Sequence, residues 1–214
     1  MDMRQSLIGT AGWSVSRTAS GFAPQGSALE RYGAVFSAVE VNSSFYRRHR
    51  PATWQRWHDA VPEGFRFSVK LPRSITHERR LVGAEGELDG FFEDVLPLGR
   101  KLGALLLQLP PKLEYEPVAA ERFLAALRQR SGVPAFIEPR HASWAAAEVS
   151  EVLGAQDIGR VYADPQQEPL RAAALAEPAR YLRLHGAPRI YYSAYGEAEL
   201  RRYADLLSAS ETPA

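Results

Sequence analysis

The sequence predicts an α/β fold of the (β/α)-barrel type, built as one domain. Short apolar runs of β-type composition alternate with longer amphipathic stretches along the whole chain. No segment of biased composition divides it. The loop after the first run also lacks the glycine spacing that an open, doubly wound sheet uses to hold a dinucleotide.

Seven runs read as strands: Ser6 to Thr10, Ala38 to Val41, Phe65 to Lys70, Ala104 to Leu109, Ala135 to Glu138, Gly159 to Ala163 and Ala179 to Leu184. Between and after them, Ala28 to Val35, Thr53 to Ala60, Leu88 to Lys101, Val118 to Arg130, Trp144 to Leu153 and Glu197 to Leu207 repeat their apolar residues with helical spacing. Strand followed by helix, repeated without long breaks, gives parallel strands joined by right-handed crossovers. The turn Gly9-Thr10-Ala11-Gly12-Trp13 has neither fingerprint spacing nor a Walker lysine, which favours the barrel over the open sheet.

Composition narrows the function classes. With 45% hydrophobic and 24% charged residues in 214, the chain has the make-up of a globular domain able to bury a large core. Lys and Arg number 26 against 25 Asp and Glu, so a net charge of +1 offers no global field for nucleic acid or an anionic membrane. The absence of cysteine removes disulfides, thiolate metal sites and thiol nucleophiles, and it fits a reducing, cytoplasmic setting. No run reaches the roughly 20 apolar residues of a membrane span, and the start lacks the apolar core of a signal peptide.

Side chains alternate across a strand, so in a barrel one parity faces the helices and the other the interior. Taking the apolar parity as helix-facing leaves Glu40 and Asn42 inward on the second strand, Ser68 and Lys70 on the third and Gln108 on the fourth. The same reading leaves Glu138 and Arg140 on the fifth, Tyr162 and Asp164 on the sixth, and Arg183 and His185 on the seventh. Burying this many charges costs several kcal/mol each unless they pair or meet a ligand, and barrel enzymes place their chemistry at this face. The structural alternative is a buried network in which Glu40, Glu138 and Asp164 neutralise Lys70, Arg140 and Arg183.

Roles follow from side-chain chemistry. Glu138, His185, Glu40 and Asp164 are the candidate acid/base residues; a histidine near a cleft suits the role because its reference pKa is near neutrality, and His185 at a strand end is favoured over His77, which has helix capping as its alternative. Lys70, Arg140 and Arg183 form the candidate clamp on a phosphate or carboxylate. Trp13, Asn42, Tyr46, His77, Gln108, His141 and Trp144 complete the candidate substrate contacts; the aromatic ones have packing, and His77 helix capping, as the alternative. A divalent metal on the carboxylates and histidines is disfavoured by the three cations in the same ring, so no metal and no cofactor are expected.

Together, the motifs Gly9-Thr10-Ala11-Gly12-Trp13, Glu40-Val41-Asn42-Ser43-Ser44-Phe45-Tyr46, Phe67-Ser68-Val69-Lys70 with Ile75-Thr76-His77, Leu107-Gln108-Leu109-Pro110-Pro111, Glu138-Pro139-Arg140-His141 before Ser143-Trp144, and Arg183-Leu184-His185-Gly186 resemble the domain of unknown function 72 family, also called YecE-like. The resemblance runs from Ile8 to Tyr195 and implies a TIM-type barrel spanning residues 1–214, without supplying a reaction. It also implies a last strand ending in a Phe-Asn-Asn or Phe-Asp-Asn type motif, for which nothing after Leu207 is a counterpart. Seven strands are therefore evident and the eighth has no counterpart, which leaves an open gap between strands one and seven, a gap filled by a partner subunit, or a truncated sequence as the alternatives.

Three functions compete. The first is an enzyme of hydrolase or lyase type acting on a small anionic, phosphorylated or carboxylated substrate. The second is a nucleic-acid binding or processing protein using the same cations on a phosphate backbone, against which the near-zero net charge weighs. The third is a non-catalytic ligand sensor. No membrane partner is expected, and the sequence sets no oligomeric state.

Overall fold

In the computed structural model of the chain, residues 6–209 are described, so the ends of the expected 1–214 domain lie outside them. The elements alternate as the sequence implies: α1 (Ala28–Gly33), β1 (Ala38–Val41), α2 (Ser43–Tyr46), α3 (Pro51–Asp59), β2 (Arg66–Lys70), α4 (Glu85–Val95), β3 (Leu102–Gln108), α5 (Pro117–Arg130), β4 (Ala135–Glu138), α6 (Ala147–Ala155), β5 (Ile158–Arg160), β6 (Tyr162–Asp164), α7 (Leu170–Leu175), β7 (Leu182–Leu184) and α8 (Glu197–Ser208). Their limits have local causes. Ser27 and Glu30 close a capping box at the start of α1. Proline occupies the first turn of α3, where its missing N–H costs nothing, and the Glu116 carboxylate accepts the Ala119 N–H at 2.7 Å ahead of α5.

The contacts divide the chain into two compact units, one of residues 6–106 with 125–134 and the other of residues 107–124 with 135–209. In the first, β1 pairs parallel with β2 and β2 with β3. Its core is apolar and close to fully buried, including Val39, Val41, Trp54, Phe67, Val69, Leu88 and Leu105. Each such side chain stabilises the fold by about 1.5–3 kcal/mol through removal from water. In the second, β4 pairs parallel with β5 and β6 with β7. Among the described residues these pairings close no sheet, and no strand follows β7. No helix among them is long and apolar enough to cross a membrane.

Two expectations need correction. Ser6 to Thr10 is not a strand; only a single bridge links Ala11 to Glu40. The segment does run beside β1, since the carbonyls of Ile8 and Thr10 accept the N–H groups of Ala38 and Glu40 at 3.2 and 3.0 Å. Its own donors go elsewhere. The Tyr32 hydroxyl accepts the Thr10 N–H at 2.7 Å and donates to the Ala38 carbonyl at 3.0 Å, standing where a direct ladder bond would form. The Ile8 N–H goes to the Ser37 hydroxyl at 3.1 Å. This approach needs glycine at position 9, because a Cβ there would meet the Ala38 carbonyl oxygen at 2.1 Å. Gly9→Ala is expected to detach residues 6–11 from β1, read as faster amide exchange at Ala38 and Glu40 than in the parent chain, with β2 and β3 unaffected.

The second correction concerns the sixth strand. The run Gly159 to Ala163 is two strands, β5 and β6, that break at Val161. Tyr162 and Asp164 stand in register with Leu182 and Leu184, and Ala163 with Arg183, so Asp164 lies on the face opposite Arg183. Tyr162, on the same face as Asp164, packs against Ala174 and Tyr203. In sequence, Val161 and Ala163 form the apolar parity of this run and so read as its helix-facing side. A strand of a parallel sheet is apolar on both faces, and there alternation carries no sign.

Candidate functional site

In the unit holding residues 135–209, the strand ends gather one tight electrostatic group. Glu138 ends β4 with its side chain 1% exposed. Its Oε1 accepts Nε and Nη2 of Arg140 at 2.9 and 2.6 Å and the Gln108 amide at 3.0 Å, while Oε2 accepts Nη1 of Arg183 at 2.5 Å. Burial alone would push this carboxyl up, but the Arg183 and Arg140 charges, helped by hydrogen bonds from Gln108 and Arg183, hold it below its ordinary value of 4.5. With both oxygens engaged and its charge fixed, Glu138 is poorly suited to exchange a proton near neutrality. What it does is hold two guanidinium groups in place.

Two guanidinium groups thus meet on one buried carboxylate. The Arg183 side chain is 8% exposed, whereas that of Arg140 is 45% exposed and carries the cationic edge to solvent. His185, two residues past Arg183, places Nε2 3.5 Å from Arg183 Nη1, and its ring meets Tyr191 edge-on with centroids 5.9 Å apart. Gln108, Glu138, Arg140, Arg183 and His185 are thus brought together as their parity implied.

Asp164 is placed differently. Its Oδ2 accepts the hydroxyls of Tyr195 and Tyr203 at 2.9 and 2.8 Å. Burial and the bonds to Asp164 push both phenols up to about 12, so they stay protonated donors that tie α8 and the loop before it to the end of β6. Trp144 is 1% exposed, and its indole N–H donates to the Leu113 carbonyl at 2.9 Å; it belongs to the core. His141 precedes a short 3-10 turn and accepts the Ser143 N–H at 3.3 Å, a capping position. Arg160, which the strand-end reading passed over, is buried and donates to the Trp144 carbonyl at 2.8 Å.

In the other unit, Glu40 and Lys70 are buried at the ends of β1 and β2, and Glu40 shares its face with Ser68 by register. The Lys70 ammonium sits 4.1 Å over the Phe45 ring, and the Ser44 hydroxyl donates to the Lys70 carbonyl at 2.7 Å. Asn42 precedes α2, where its carbonyl accepts the Phe45 N–H at 3.1 Å. His77 lies in the π-helical turn Ser74–Glu78, edge-on to Phe45 and bonded to the Thr76 hydroxyl at 2.9 Å. Trp13 packs edge-on against Trp57 at 4.9 Å, whereas Tyr46 is 72% exposed. A cleft of about 210 Å³ opens beside Tyr46, lined also by Arg47, Arg48, Arg73, Ser74 and Glu78. Within it Arg73 pairs with Glu78 at 3.0 Å, and Arg48 pairs with Asp94 at 2.6 Å. Among the described residues no three of His, Cys, Asp and Glu are gathered as a metal ion would need.

The UPF0759 protein YecE of Escherichia coli K12 is 32% identical over 84 residues, 39% of this chain and 31% of that protein. The UPF0759 protein YunF of Bacillus subtilis is 28% identical over 122 residues, 54% of this chain and 43% of that protein. The matched segments therefore span less than half of either curated relative. Among solved structures, a DUF72 family protein from Thermotoga maritima superposes with a TM-score of 0.75 at 24% identity, covering 95% of this chain and 86% of that one. One from Enterococcus faecalis gives 0.73 at 19% identity, covering 95% and 84%. At such identities the likeness establishes the fold, an α/β arrangement of mostly parallel strands and helices. The family model described as protein of unknown function DUF72 matches residues 7–213, nearly the whole sequence, and the chain belongs to that family.

Proposed function

We propose that this chain is a cytoplasmic enzyme of hydrolase or lyase type, a single TIM-type barrel domain acting on a small phosphorylated or carboxylated compound. The observation that carries the reading is the pair of guanidinium groups held on Glu138, with Arg140 half exposed and His185 beside Arg183. A fixed carboxylate that orients two guanidinium groups pre-pays the ordering a clamp on an oxyanion requires. His185, an imidazole beside Arg183, supplies the proton-transfer group. Glu138 acts here as a positioning residue and Asp164 as a structural one.

The test is a titration of the full chain with inorganic phosphate, followed by calorimetry. The parent chain is expected to bind, and Arg140→Gln to lose affinity by about tenfold or more, since hydrogen bonds to charged groups contribute about 1.5–3 kcal/mol. Because Arg140 is exposed, its thermal midpoint should stay near the parent's. Absence of binding by the parent, or equal binding by the variant, would sink the anion site. For the chemistry, His185→Asn should retain phosphate binding and lower turnover of a phosphate ester by about 10²–10⁴. An equally active variant removes His185 as the acid or base.

A further inference from the structure

The loop after β7 holds a feature that the anion site does not use. Residues 186–195 are ordered by their own hydrogen bonds: the Tyr191 N–H donates to the His185 carbonyl at 2.7 Å, the Ser193 N–H to the Arg189 carbonyl at 2.9 Å, and the Arg189 N–H to the Ser193 hydroxyl at 3.0 Å. At its base Gly186, at φ +90°, donates its N–H to the Tyr195 hydroxyl at 2.8 Å. This well-tied loop nevertheless turns its large side chains outward. Ile190, Tyr191 and Tyr192 are 45, 82 and 75% exposed.

Tyr191 stands at φ +65°, a left-handed backbone conformation that bulky L-residues rarely adopt. Such strain persists only where the surroundings enforce it, and it gathers at ligand-binding positions. Glycine or asparagine would hold the turn more cheaply. The cost is accepted at a position whose ring lies perpendicular to the His185 ring, at an interplanar angle of 89°. Tyr192 differs, because one of its faces is covered by the Arg189 guanidinium at 4.1 Å. Tyr191 therefore presents an open aromatic face one residue contact away from Arg183, through His185.

We propose that Tyr191 is the aromatic wall of the anion site, and that the ligand carries its phosphate or carboxylate on a planar ring system, as a nucleoside monophosphate does. The assignment rests on the anion site proposed above. The ring lies against Tyr191 while the anionic group reaches Arg140 and Arg183, so that the His185 imidazole falls between the two. A stacked ring is sequence-tolerant and directional at once: it fixes the plane of the ligand without naming its ring atoms.

The experiment titrates the full chain with inorganic phosphate, ribose 5-phosphate and adenosine 5′-monophosphate. The parent is expected to bind the nucleotide about tenfold or more tighter than phosphate, a difference in the range of one stacked base, with ribose 5-phosphate close to phosphate. Tyr191→Gly should remove that advantage while leaving phosphate affinity unchanged, and Tyr191→Phe should keep it. Since glycine adopts positive φ freely, the thermal midpoint of Tyr191→Gly should equal or exceed the parent's, which separates a lost wall from a damaged fold. Nucleotide binding no tighter than phosphate or ribose 5-phosphate in the parent overturns the wall and leaves the anion site standing. So does an advantage that survives Tyr191→Gly. Failure of all three probes to bind overturns the anion site and the wall with it.

Discussion

Glu138→Ala is expected to lower the unfolding free energy by about 3–5 kcal/mol, the usual cost of removing one partner from a buried ion pair. The carboxylate is 1% exposed and the Arg183 side chain 8% exposed, so the variant removes a buried carboxylate from the Arg183 guanidinium. Arg140, half exposed, can turn to solvent, so Arg140→Gln should cost far less. Denaturant unfolding of both variants measures the contrast. Equal losses would show that Glu138 is held by packing rather than by charge. The same pair sets a pH dependence. The folded carboxyl titrates below 4.5, its ordinary value, so its contribution is fully present above that pH and is lost as pH falls through the lower folded value. Acid unfolding of the parent should therefore steepen below about pH 4.5 relative to Glu138→Gln, which has no carboxylate to protonate.

Trp144→Ala is expected to cost about 3–5 kcal/mol as well, for a different reason. The indole is 1% exposed, edge-on to Tyr115 at 5.1 Å, and donates its N–H to the Leu113 carbonyl at 2.9 Å. Its removal leaves a cavity and an unmet acceptor. Trp144→Phe keeps most of the volume and should lose about 1–3 kcal/mol, the penalty of the unpaired carbonyl. Phosphate affinity should change by less than about twofold in Trp144→Phe, as expected for a core residue. A large loss of affinity with little loss of stability would instead make Trp144 a ligand contact, as its position after a strand suggested.

Position along the chain was a good guide to the strands wherever a run was bounded by turn residues and backed by a helix. Ala38 to Val41 and Ala135 to Glu138 fall where the apolar pattern put them. The grouping of Gln108, Glu138, Arg140, Arg183 and His185 was legible too, because a buried charge on an otherwise apolar strand has few reasons to be there. Asp164 shows the limit of the same reasoning. Alternation tells which residues share a face, but it names the face only when one parity is polar. With Tyr162 able to pack against Tyr203, and Val161 and Ala163 small enough for either side, the choice fell to tertiary contacts.

The sequence by itself determined the class of fold, the family, and the residue types at most strand ends, since these depend on periodicity and on motifs read locally. Only the tertiary structure decided what the polar groups do. It showed Glu138 committed to two arginines, Asp164 to two tyrosine hydroxyls, and the Tyr32 hydroxyl interposed between Thr10 and Ala38 where a strand was expected. It also put Tyr191, one of two adjacent tyrosines with nothing in the sequence to tell them apart, into a strained backbone beside His185. The physical reason is common to all of these. Hydrophobic periodicity records which side of an element leaves water, whereas a hydrogen bond or an ion pair depends on partners far apart in the chain, whose meeting only the folded backbone fixes.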